Sequence, residues 1–91
     1  MNTQTLINQT HAHKLSLNQT LTLLVIRDDG ADIAPSAIAK RLHMSCAGMT
    51  IIGNELLRRQ LITRRHDFND RRKVRFTLTP MGRNVADCIL Q

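Results

Sequence analysis

Tryptophan and tyrosine are absent from the 91 residues, and Phe68 and Phe76 are the only aromatic side chains. So few rings argue against a base-stacking platform for single strands and against an aromatic-lined small-molecule pocket. Acidic residues are also few, and Glu55 is the only glutamate. With no serine–histidine nucleophile motif and no glycine-rich phosphate loop, the chain offers no catalytic apparatus, and an enzyme is not expected. Cys46 and Cys88 make no metal or redox spacing, so free thiols are expected. His11 and His13 stand two apart, on different sides of any helix, and lack a Cys or acidic neighbour to complete a site. No metal or other cofactor is expected. No apolar run approaches the about 18 residues of a membrane span, and MNTQTLINQTHAH lacks the basic-then-apolar order of a signal peptide. The chain is expected to stay in the cytoplasm, with no membrane partner.

What the sequence does have is positive charge gathered in one place. Residues 58–75 contain Arg58, Arg59, Arg64, Arg65, Arg71, Arg72, Lys73 and Arg75 against Asp67 and Asp70, which is 8 − 2 = +6. The whole chain is also +6, so the remainder is neutral in sum. Such concentration is the electrostatic footprint of a phosphate-backbone binder; a merely solvated face is the plain alternative. With 42% hydrophobic and 22% charged residues the chain should fold. Its length allows one domain with a modest core, which association with a second copy would help.

In chain order, residues 2–14 are polar, with Leu6, Ile7 and Ala12 as their main apolar positions. They form an N-terminal segment able to make a short helix, marginal alone. From Ser16 the pattern sharpens, because Ser16 and Gln19 fit a capping box. Leu17, Leu21, Leu24, Val25 and Asp28 follow at helical spacing, Leu23 and Ile26 widen the apolar surface, and Gly30 is a stop. This is the expected central helix. Residues 31–34 read as an extended connection. Pro35 then suits the first turn of a helix of about two turns, with Ser36 beside it and an apolar face of Ile38, Ala39 and Leu42. His43, Met44 and Ser45 make a turn, and Ser45 caps the next helix, whose first amides would suit a phosphate oxygen.

Residues 46–59 separate into two faces. Met49, Ile52, Gly53 and Leu56 turn inward, Gly53 permitting close approach to the preceding helix. Ala47, Thr50, Ile51, Asn54 and Arg58 share the opposite face. In a major groove Asn54 could bridge an adenine edge, and Ala47, Thr50 and Ile51 could touch thymine methyl groups. An ordinary solvent-facing helix is the other reading. Leu61–His66 and Arg72–Leu78 have strand character and are joined by the turn formers Asp67-Phe68-Asn69-Asp70-Arg71. In the second strand Val74, Phe76 and Leu78 alternate with Lys73, Arg75 and Thr77, one face for the core and one charged. The strand residues Arg64, Arg65, Lys73 and Arg75 then suit phosphates. A tip carrying Arg71 and Arg72 could follow the backbone and place one guanidinium in a narrow minor groove, with Asp70 orienting an arginine.

Thr79, Pro80 and Gly82 begin a last helix, whose side of Met81, Val85, Ala86, Ile89 and Leu90 has nothing after it in the chain to cover it. Leu6, Ile7, Val85, Ile89 and Leu90 are therefore the expected dimer contacts. The fold class is mainly α with a small β-hairpin, a winged helix-turn-helix of element order α-α-β-α-α-β-β-α, with a DNA-binding domain over residues 15–91 and an N-terminal segment 1–14 whose short helix would serve dimerisation. The expected function is double-stranded DNA binding as a homodimeric transcriptional regulator. The second hypothesis is a protein-interaction module that pairs with another regulator through Ile51 and the last helix. Cys46, in the first turn of a helix near basic groups, reads either as an oxidant-sensing thiol or as a small, partly buried cap residue.

The segments LSLNQTLTLLVIRDDG, APSAIAKRLHMS, MTIIGNELLRRQLITR and DRRKVRFTLTPMGR resemble the multiple antibiotic resistance regulator (MarR) family over about residues 15–84. The most specific part is Asp70-x-Arg72-Lys73 followed by Leu78-Thr79-x-x-Gly82-Arg83. The resemblance implies a recognition helix over 46–58, Arg71 or Arg72 in the minor groove, and a homodimer on a pseudo-palindromic duplex. Gln60 stands where the family has a glycine, and Ile51 where members often carry a basic or polar residue. Typical members continue past the position of Gln91 into long helices that build the dimer and part of the ligand pocket, so a small-molecule effector of the usual kind is not expected.

Overall fold

The computed structural model describes residues 2–30 and 32–90; Ala31, expected to open the extended connection, lies outside them. Five helices and one hairpin follow in the order α1 (Thr3–Ala12), α2 (Leu17–Asp29), α3 (Pro35–Arg41), α4 (Cys46–Arg58), β1 (Ile62–His66), β2 (Val74–Leu78) and α5 (Pro80–Leu90). Before α3, Ile33 makes an isolated antiparallel bridge to Phe76, exchanging hydrogen bonds of 3.0 and 2.8 Å. That bridge is the lone β element of the expected winged helix-turn-helix order.

Local chemistry explains where each helix starts. Ser16 Oγ accepts from Gln19 N–H while the Gln19 side chain accepts from Ser16 N–H, the capping box read in the sequence. Asn2 caps α1, Ser45 caps α4 through Gly48 N–H, and Thr79 caps α5 through Gly82 N–H. The ends are equally defined. Gly30 closes α2 at φ +77°. The other three helices preceding the hairpin stop on Lys14, His43 and Gln60, all at positive φ. In each, the next amide reaches back five residues: Leu15 to Thr10, Met44 to Ala39 and Leu61 to Leu56. These are Schellman endings made without glycine.

Gln60 holds φ +62° with its side chain in solvent. The left-handed region costs an L-residue about 1–2 kcal/mol, against the roughly 0.5–1 kcal/mol of extra entropy that glycine loses on folding. Gln60→Gly should therefore stabilise the chain by about 0.5 kcal/mol and raise the thermal midpoint by about 3 °C. Thermal denaturation followed by circular dichroism checks this, and a lower midpoint would contradict it.

The core gathers Leu23, Ile26, Ile38, Met49, Leu56, Ile62 and Ile89, all fully buried. The buried side of α2 differs from the periodic reading. Leu17 is 52% exposed, whereas Thr20 and Thr22 are fully buried. Each threonine hydroxyl bonds the carbonyl four residues back, Ser16 and Asn18 respectively, and Thr20 also meets Thr10 of α1 at 3.2 Å. With their hydroxyls satisfied, the methyl groups pack as apolar residues would.

Two glycines permit close approaches. A Cβ on Gly53 would lie 2.7 Å from the Phe76 ring, so its neighbour is β2 and not the preceding helix. Gly82 presses against the Leu61 carbonyl, where a Cβ would lie 1.9 Å from the oxygen. The last helix also corrects the sequence reading, because its apolar side is covered within the chain. Ala86 and Ile89 are fully buried, α1 and α2 pack on α5, and Arg27 of α2 pairs with Asp87 at 2.6 Å. What stays open beside it is Met81 and Leu90, with Ile7 on α1. Among the described residues, no helix is long and apolar enough to cross a membrane.

Candidate nucleic-acid interface

The α4 cap and the inward anchors Met49, Ile52 and Leu56 fix the helix against α3 and the sheet, and this turns Ala47, Thr50, Ile51, Asn54 and Arg58 outward. All five are exposed. Ile51, at 62%, is among the most exposed large apolar side chains. Ser45 is exposed too; its hydroxyl oxygen accepts from Gly48 N–H at the helix start, which leaves its O–H free to donate.

The hairpin stands next to this face. Its register pairs Ile62 with Leu78, Arg64 with Phe76 and His66 with Val74. Phe76 is buried and Val74 and Leu78 pack on the core, so the alternation read in the sequence anchors β2. From β1, Arg64 donates to Asn54 Oδ1 at 3.2 Å, joining the hairpin to α4. A groove of about 500 Å³ is lined by Ser36 of α3, Cys46 and Thr50 of α4, and Arg72, Lys73 and Arg75. The start of α3, the start of α4 and the wing therefore form one continuous surface. Cys46 sits exposed on its rim, not partly buried.

The positive charges are not equivalent. Arg65 lies 3.6 Å from Asp32, and Arg75 lies 3.8 Å from Asp67. Arg59 is committed elsewhere, donating to the His13 and Lys14 carbonyls and clamping the end of α1 to the end of α4. Its neighbourhood is tied further by Gln19, whose side chain donates to Glu55. Among the described residues, Arg58, Arg71 and Lys73 have no carboxylate within 4.0 Å. Asp70 does orient an arginine: its carboxylate accepts from the Arg72 backbone N–H at 3.0 Å and from the guanidinium at 3.2 and 3.4 Å. Arg72 nonetheless keeps 92% of its side chain in solvent.

Asp67 is more than a turn former. Its Oδ1 accepts from Asn69 N–H at 2.8 Å, and that bond, with help from the Asp70 amide, Arg75 and Lys73, holds its carboxyl below the ordinary value despite some burial. A depressed folded pKa contributes stability that is complete above the unfolded value near about 4 and is lost as the pH falls through the folded one. The Asn69 amide resonance should therefore titrate with a midpoint below the ordinary carboxylate value of about 4. A midpoint at or above that value would contradict the arrangement.

Two side chains stand differently from the sequence reading. Arg59 was counted with the DNA-facing charge, and its role as a clamp depends on helix ends 45 residues apart. Phe68, fully exposed at the wing tip, was hidden among turn formers, though an aromatic inside such a run was the available signal. Of the expected dimer contacts, Ile89 lies in the core, Leu6 and Val85 are half-buried against it, and Ile7 and Leu90 are exposed. No group of three His, Cys, Asp or Glu able to hold a metal occurs among the described residues.

Comparison with known proteins converges on one architecture. The model of the MarR family matches residues 15–74. A Staphylococcus aureus MepR mutant bound to an oligodeoxyribonucleotide is similar over 96% of this chain and 64% of its own, with 23% identity and a TM-score of 0.91. Wild-type Escherichia coli MarR in its apo form aligns over 94% and 62%, with 23% identity and a TM-score of 0.85. A Lactococcus lactis ZitR mutant reaches 28% identity over 81% and 49%, with a TM-score of 0.75. The chain thus spans less than two thirds of each of these proteins. No curated protein matches it.

Proposed function

Because the chain belongs to the MarR family, whose model matches most of it, we propose that it is a transcriptional regulator that binds double-stranded DNA through α4 and the β1–β2 wing. The carrying observation is the continuity of that surface, with Arg64 reaching Asn54 and one groove joining Ser36, Thr50, Arg72, Lys73 and Arg75. α4 enters the major groove, where Ala47, Thr50 and Ile51 meet thymine methyl groups and Asn54 meets an adenine edge. Ser36, Arg58, Arg64, Arg65, Lys73 and Arg75 lie toward phosphates. Arg71 or Arg72 enters the minor groove.

Two copies act together, with Ile7 and Leu90 as the exposed apolar contacts, and their α4 helices sit about 34 Å apart, one duplex turn. Occupancy of the site excludes polymerase or another factor. The test is fluorescence anisotropy with selected and random duplexes across a salt series, with the oligomeric state recorded alongside. A selected site bound on the order of 10³-fold tighter than random DNA, with affinity falling steeply in salt, supports a specific regulator. No binding at low salt overturns the reading.

A further inference from the structure

The wing tip carries a group that the charge reading leaves unused. Phe68 is 100% exposed, whereas the only other aromatic, Phe76, is buried. A single exposed apolar residue is ordinary on a surface, but this one is mounted on an ordered loop. Asp67 N–H donates to the Lys73 carbonyl at 2.9 Å and Lys73 N–H to the Asp70 carbonyl at 3.0 Å. Asp67 and Asp70 accept from the backbone amides of Asn69 and Arg72, and His66 Nδ1 lies 2.8 Å from the Arg71 carbonyl. These bonds brace the loop on both sides of Phe68 without engaging its ring.

The same bonds turn the acidic groups inward. The Asp67 and Asp70 side chains are only 23% and 30% exposed, each held by amides and by an arginine. What the tip presents outward is a phenyl ring on the same loop as the exposed Arg71 and Arg72. An apolar wedge flanked by guanidinium groups matches the chemistry by which proteins open a base step from the minor groove and bend the duplex.

We propose that Phe68 is a minor-groove wedge, inserted between adjacent base pairs next to the site of arginine entry and kinking the DNA there. This rests on the DNA-binding reading above, and the contact of the same hairpin with α4 through Arg64 and Asn54 favours a duplex over a lipid or protein surface. The ring then contributes affinity without neutralising a phosphate, because no counterion is released by an apolar contact.

The test compares the parent protein with Phe68→Ala and Phe68→Leu on duplexes carrying a fluorescent adenine analogue that brightens when unstacked. Phe68→Ala should lose about 10-fold in affinity with an unchanged salt slope, and should lose the fluorescence rise. Phe68→Leu should keep most of both, since leucine also serves as a wedge. The ring packs against nothing, so the thermal midpoint should be that of the parent. Parent-like affinity and fluorescence in Phe68→Ala overturn the wedge alone. If Phe68→Ala binds DNA normally yet loses retention on phosphatidylserine vesicles, the ring belongs to a membrane contact instead. Absence of salt-dependent binding by the parent overturns the DNA reading and the wedge together.

Discussion

Gly82→Ala should destabilise the chain by about 3 kcal/mol or more and lower its thermal midpoint by roughly 15 °C. The added Cβ would stand 1.9 Å from the Leu61 oxygen and 2.8 Å from its carbonyl carbon. Those are backbone atoms, so no side-chain rotation relieves the overlap. Leu61 is itself pinned, because its N–H closes the end of α4 on Leu56 and its carbonyl accepts from Thr79 N–H. The helix must therefore retreat. Retreat of α5 would draw Ala86 and Ile89 out of the core and leave a cavity where they now pack. Thermal and urea denaturation measure the effect, and a shift below about 1 kcal/mol would show that the α5 start can move freely.

The double change Arg71→Ala/Arg72→Ala should weaken duplex binding by roughly 100-fold, and the slope of log affinity against log salt should fall by about 2. The fold should survive, since both side chains are exposed and the Arg72–Asp70 pair is a surface contact worth at most about 1 kcal/mol. The slope separates the two functional hypotheses better than affinity does. A guanidinium displaces counterions whether it lies on the backbone or in the minor groove, and its removal must reduce that count. A module that pairs with another regulator through Ile51 and α5 would keep its partner and show no such change. An unaltered slope would place the wing off the DNA.

The elements were legible because their signals are local. Ser16 with Gln19, Gly30, Pro35, Ser45 and the Thr79-Pro80 pair each mark a boundary by chemistry acting over a few residues, and the structure places helix ends there. Phe76 and its alternating neighbours likewise fixed the inward side of β2. The outward side of α4 also followed from spacing, since its inward partners Met49, Ile52 and Leu56 are strongly apolar. What the sequence hid is long-range. Thr20 and Thr22 read as polar, because only the fold shows that backbone carbonyls satisfy their hydroxyls. The covering of Ile89 depends on α1 and α2 arriving from the far end of the chain. Arg59 and Arg71 are identical as letters. One is spent on carbonyls 45 and 46 residues away, and the other has no carboxylate within 4.0 Å among the described residues.

The hairpin has one open side. β2 is flanked by β1 and, at Phe76, by Ile33, so the run most prone to self-association, Val74–Leu78, is enclosed. β1 is the free edge, a row of unpaired amides and carbonyls that another copy could extend into a fibre. Arg64 and Arg65 occupy the middle of that edge. Two such edges brought together would face each other with like charges, so stitching of wing to wing is opposed at every approach. Replacing Arg64 and Arg65 with neutral β-formers should therefore raise the tendency of concentrated protein to precipitate.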